Sequence, residues 1–183
     1  MGGRAALLCL VLAATADAGP LELGQEAPAF EGPVENPERA GQASVSLARW
    51  LTPGGKRRAE ARAVLVAFAA SWCKPCRVEL PMLERLLGRH RGAGLRVVVI
   101  GVDRESPGKL KLLKLVEEVS PTLPLVFDVE ARATLAWLGE RAVVPTVVLV
   151  GAGGRVRAVH RGFAEDGEAG LEAEVKAALE ERR

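Results

Sequence analysis

Apolar positions in this chain alternate between uninterrupted runs and runs spaced every three or four residues. The segments 63–70 (AVLVAFAA), 95–103 (LRVVVIGVD), 123–128 (LPLVFD) and 143–150 (VVPTVVLV) have the length and β-branched content of strands buried on both faces. Between them, Val78, Met82, Leu83, Leu86 and Leu87 predict a helix over 75–90, opened by Pro75, closed by Gly92 and Gly94, and kinked at Pro81. Leu112, Leu115, Val116 and Val119 form one stripe of a helix over 106–119, with Ser106 as its N-cap and Pro107 in its first turn. A short helix is expected over 130–139, and a last one over 168–181 that buries Leu171, Val175 and Leu179. The Gly-rich turn GAGGR leads into VRAVHRGF, which predicts an antiparallel hairpin at one sheet edge. Upstream, GQEAPAF at 24–30 and ASVSLARWL at 43–51 read as short lead-in segments, the first extended. The alternation predicts an α/β sandwich, a mixed central sheet with helices on both faces.

The amino terminus stands apart from this pattern. Arg4, an apolar run over 5–14 and the triplet Ala16-Asp17-Ala18 have the form of a secretory signal peptide cleaved after Ala18. The run is shorter than the roughly 20 residues that cross a bilayer. Export to a periplasm is therefore expected, with secretion, or retention by an uncleaved amino-terminal anchor, as the alternatives. The division is 1–18 signal peptide, 19–62 extension of the fold and 63–183 main domain. About 165 mature residues are enough for a sizeable core without a staple. A formal net charge of +2 gives no reason to expect a nucleic-acid partner. The basic run at 54–62 and the lysines of the 106–119 helix, which oppose its macrodipole, read as solvated surfaces.

Candidate chemistry sits in SWCKPCRVELP. Of three cysteines, Cys9 leaves with the signal, so Cys73 and Cys76 remain as a pair in an oxidising setting, where a disulfide between them is expected. Such a bridge closes almost no loop and gains little from chain entropy, which favours a reactive role over a structural one. The pair falls at the carboxyl end of a predicted central strand and the start of the next helix, where α/β sheets place their ligands. Unpaired amides and the positive end of the helix macrodipole favour the Cys73 thiolate, Lys74 adds charge of the same sign, and Pro75 stiffens the turn. Cys76, one step inside the helix, suits the resolution of a mixed disulfide.

The stretch 64–81, VLVAFAASWCKPCRVELP, resembles the active-site segment of the TlpA/ResA-like exported thiol-disulfide oxidoreductases, whose W-C-x-P-C-R-x-E-x-P run is matched by Trp72, Cys73, Pro75, Cys76, Arg77, Glu79 and Pro81. Val144-Pro145-Thr146 is similar to the family's cis-proline stretch, and GQEAPAF to its G-x-x-A-P-x-F opening. The resemblance implies a thioredoxin-like three-layer sandwich in which Cys73 attacks, Cys76 resolves and Pro145 lies beside the sulfurs. It also implies a substrate surface of Trp72, Lys74, Pro75, Val144 and Thr146, with Val144 pairing with an incoming polypeptide. The expected partners are a protein carrying a disulfide or thiols and a membrane thiol-electron donor. No cofactor or metal is expected, and the chain is expected to be a monomer. Glu79 has two readings, a carboxylate that tunes or deprotonates Cys76 and a solvent-facing helix residue. Trp72 is either a wall beside the disulfide or a packing residue. Ala67 and Ala69 depart from the family, which carries a polar residue and a tryptophan at these strand positions.

Other classes compete. Two thiolates are half of a zinc site, for which only His90 and His160 are on offer, and copper carriers of this fold use C-x-x-x-C. Haem attachment needs His where Arg77 stands. A peroxiredoxin-like peroxidase would have Thr where Ala70 lies. A non-catalytic peptide-binding module would tolerate serine at both cysteines.

Overall fold

The computed structural model describes residues 20–51, 61–164 and 167–181; the expected signal peptide and most of the basic run at 54–62 lie outside the described residues. In chain order these form β1 (Glu31–Pro33), α1 (Pro37–Ala40), β2 (Ser44–Ser46), α2 (Leu47–Leu51) and β3 (Ala63–Ala69). There follow α3 (Cys76–His90), β4 (Leu95–Gly101), α4 (Ser106–Val119), β5 (Leu125–Phe127), α5 (Arg132–Leu138), β6 (Thr146–Gly151), β7 (Val156–Arg161) and α6 (Gly167–Glu180).

Every residue of β3 is buried, as its unbroken apolar run requires, and it takes the middle of a five-stranded sheet ordered β5-β4-β3-β6-β7. β3 runs parallel to β4, and β4 to β5; β6 lies antiparallel to both β3 and β7. Strand alternation then assigns the two faces. Leu65, Ala67 and Ala69 join Val97, Val99, Val147 and Leu149 beneath α3, α4 and α6. Val64, Val66 and Phe68 join Val98, Ile100, Val148 and Val150 beneath α2, α5 and the lead-in segments, with Trp137 fully buried against Phe30 and Phe68. Three layers result. Each fully buried Leu or Val contributes about 1.5–3 kcal/mol relative to exposure.

The lead-in residues are sewn onto both sheet edges. Gly24 and Ala27 donate to the carbonyls of Val156 and Gly154 at one edge. At the other, β1 and β2 pair antiparallel, and the buried Asn36 amide donates to Leu123 O at 2.9 Å while accepting from Leu125 N at 3.0 Å.

Four sequence expectations change. The 43–51 segment divides into β2 and the helical turn α2. Val143 and Val144 precede β6 rather than opening it. The cap position of α4 is Glu105 in extended backbone, so Ser106 is already helical. Val78 is 56% exposed, because the buried line of α3 is Cys76, Leu80, Leu83 and Leu87, and Val78 lies off it. The helix itself runs unbroken through Pro81.

Candidate active site

After β3 the chain turns sharply, with Cys73 N–H donating to Ala70 O at 3.1 Å, and α3 begins three residues later. Cys73 and Cys76 are joined, with S–S 2.06 Å and Cα–Cα 5.4 Å. Cys73 Sγ accepts the Cys76 N–H at 3.2 Å, so the sulfur caps the helix start. An amide aimed at this atom, at the positive end of α3, favours its thiolate when the bridge opens. Both cysteines are buried, Cys76 completely, while Lys74 and Pro75 are exposed.

The Val144–Pro145 peptide is cis. Pro145 is buried, its carbonyl accepts from Gly162 N at 2.8 Å, and Thr146 Oγ donates to Val143 O at 2.8 Å. Val144 is half-buried, and among the described residues its backbone makes no hydrogen bond. Trp72 is 68% exposed, which corrects its reading as a packing residue; Val78 and Val143 are exposed apolar neighbours of the pair and of the cis-proline in sequence.

Glu79 is the largest surprise at this end of α3. The solvent-facing reading is wrong: the residue is 4% exposed, one turn after Cys76 on the inner side of the helix. Burial disfavours its charged form and raises its pKa from 4.5 to about 7. A small cavity runs from Glu79 past Met82 and Val147 to His160, Phe163 and Leu171.

Each of the two histidines lies against a glutamate of α6. His90 Nε2 lies 2.9 Å from Glu172 and His160 Nε2 2.6 Å from Glu174. Among the described residues no group of three or more His, Cys, Asp or Glu is placed to hold a metal ion. Sequence reasoning passed over Asp103, whose carboxylate holds Ser71 inside the turn. Its one sequence signal is an acid at the carboxyl end of the strand beside β3.

The sequence profile of the AhpC/TSA family matches residues 23–159. The chain belongs to the AhpC/TSA family. Among curated relatives of this AhpC/TSA protein, the thiol-disulfide oxidoreductase ResA of Halalkalibacterium halodurans is 26% identical over 127 residues, 68% of this chain and 69% of that protein. A thiol:disulfide interchange protein DsbE homolog of Paracoccus denitrificans is 37% identical over 97 residues, 53% of this chain and 48% of its own length. A crystal structure of a candidate thiol:disulfide interchange protein DsbE from Chlorobium tepidum superposes with TM-score 0.70 at 25% identity, covering 87% of this chain and 99% of that one. This AhpC/TSA member has the thioredoxin-like sandwich, and its Cys73–Cys76 pair is a redox dithiol.

Proposed function

We propose that the protein is an exported thiol-disulfide oxidoreductase that reduces disulfides in substrate proteins. The observation that carries this reading is the Cys73–Cys76 bridge at the start of α3, with the Cys76 amide on the Cys73 sulfur. In the reduced enzyme the Cys73 thiolate attacks one sulfur of a substrate disulfide, forming a mixed disulfide and expelling the other substrate sulfur as thiolate. Cys76 then loses its proton to Glu79 and attacks Cys73, releasing the second substrate thiolate. The substrate gains two electrons and the enzyme closes its own disulfide, which a membrane dithiol donor reopens. Glu79 suits this exchange because an acid titrating near neutral both accepts and returns a proton.

Trp72, Lys74, Pro75, Val144 and Thr146 form the substrate surface in this reading, with the unpaired Val144 backbone accepting an extended segment strand-fashion. Pro145 seats that segment beside the sulfurs. The protein works without cofactor or metal, as a monomer, after removal of its leader. The reduction potential of the Cys73/Cys76 couple tests the direction. A value near about −270 mV, that of thioredoxin, is expected, and one near about −120 mV, that of a strong oxidant, would overturn the reductase assignment. Cys76→Ser should accumulate mixed disulfides with exported proteins; a trap that stays empty while Cys73 is reactive rules out a protein substrate.

A further inference from the structure

Both polar groups of Ser71 are held by a single carboxylate from the neighbouring strand end. The Ser71 N–H donates to Asp103 Oδ2 at 2.7 Å, and its hydroxyl to Asp103 Oδ1 at 2.8 Å. Asp103 lies just past β4 and is 8% exposed. A carboxylate so buried is costly unless its oxygens are hydrogen-bonded, and here one residue satisfies both. Room for it comes from Gly108 in the first turn of α4, where a Cβ would stand 2.4 Å from Asp103 Oδ1. Beneath the contact, Val102 N–H donates to Ala69 O at 3.0 Å, tying the ends of β3 and β4 together.

The residue held in this way is two positions before the reactive sulfur. It lies inside the turn closed by Cys73 N–H on Ala70 O, and two residues on the chain reaches Cys73 Sγ, 3.2 Å from the Cys76 nitrogen. Two hydrogen bonds to one residue restrict its rotation as well as its position, so the clamp is passed along a turn too short to absorb it. We infer that Asp103 is a positioning residue for the nucleophile: by gripping Ser71 it holds the turn so that the Cys73 sulfur stays on the Cys76 amide after the disulfide opens. This rests on the thiol-disulfide reading above. The role is geometric, since a negative charge near the turn by itself disfavours a thiolate. Geometry and charge therefore predict opposite shifts when the carboxylate is removed.

The test is the pH profile of Cys73 alkylation by iodoacetamide in a Cys76→Ser background, which keeps the backbone amide, together with the rate of attack on a small aromatic disulfide at pH 7. Asp103→Ala should raise the pH midpoint of alkylation and slow the attack about tenfold or more. Asp103→Asn, whose oxygen still accepts the Ser71 N–H, should stay close to the parent. Gly108→Ala displaces the carboxylate without removing it and should shift the profile in the same direction, which keeps the test available if Asp103→Ala fails to fold. An unchanged or lowered midpoint in Asp103→Ala and Gly108→Ala makes the contact a purely structural one and overturns the inference. So does an Asp103→Asn variant as impaired as Asp103→Ala. A parent Cys73 that alkylates only in the range of an ordinary thiol would instead sink the thiol-disulfide reading, and this inference with it.

Discussion

Glu79 carries its carboxyl where water is scarce, and two measurable consequences follow. Its pKa is 4.5 unfolded and about 7 folded, so the folded state binds the extra proton between these values. Stability therefore falls as pH rises from about 4.5 to about 7, by on the order of 3 kcal/mol, and the loss persists above pH 7. Glu79→Gln removes this dependence, so denaturation of the oxidised protein at pH 5 and pH 8 should show a smaller difference in the variant than in the parent. In the proposed mechanism Glu79 takes the Cys76 proton, so with the same substitution stopped-flow measurement at pH 7 should show resolution of the mixed disulfide slowed about a hundredfold. Trp72 makes the opposite case. At 68% exposed it contributes little to folding, so Trp72→Ala should move stability by no more than about 0.5 kcal/mol while raising the KM for a protein substrate.

Helix α3 packs onto the core along its whole length through Cys76, Leu80, Leu83, Leu86 and Leu87, and its last turns add charged contacts to α6. Arg85 and Arg89 reach Glu168 at 2.6 and 2.9 Å, and Arg89 and His90 reach Glu172 at 3.0 and 2.9 Å. The hydrogen bond from His90, with help from Lys176 and Arg89, holds the Glu172 carboxyl down at about 2. A folded pKa below the unfolded one means stabilisation that is present above about 4.5 and is lost as pH falls towards 2. Glu172→Gln should accordingly be less stable than the parent at pH 7, with the gap closing in acid and shrinking at high salt, as thermal melts across pH and ionic strength would register.

Across the whole molecule, the lead-in segments complete the second face of the sheet rather than decorate it. Leu21, Val34, Val45, Leu47 and Trp50 belong to the same buried cluster as Phe68 and Trp137. Asn36 is the polar rivet of that assembly, since its amide satisfies the backbone of Leu123 and Leu125 on the far side of the chain. Asn36→Ala strands these buried groups and should lower the unfolding free energy by about 1–3 kcal/mol in a single cooperative transition, measured by urea denaturation. A separate early transition of the amino-terminal residues would contradict their place in one core.

Local patterning was enough for much of this protein. The β3 run, the helical spacing after Pro75 and the terminal hairpin all follow from side-chain periods that operate over a few residues. So does the C-x-x-C spacing, because one helical start brings Cys73 and Cys76 together regardless of the rest of the fold. Which side of α3 faces inward was decided only by tertiary packing. By polarity alone Val78 should be inside and Glu79 outside, yet the sheet takes the Cys76-Leu80-Leu83 line and draws Glu79 in with it. The grip of Asp103 on Ser71 spans 32 residues, and that of Asn36 on Leu123 spans 87. Contacts of that range depend on strand order and register, and no short-range period encodes these.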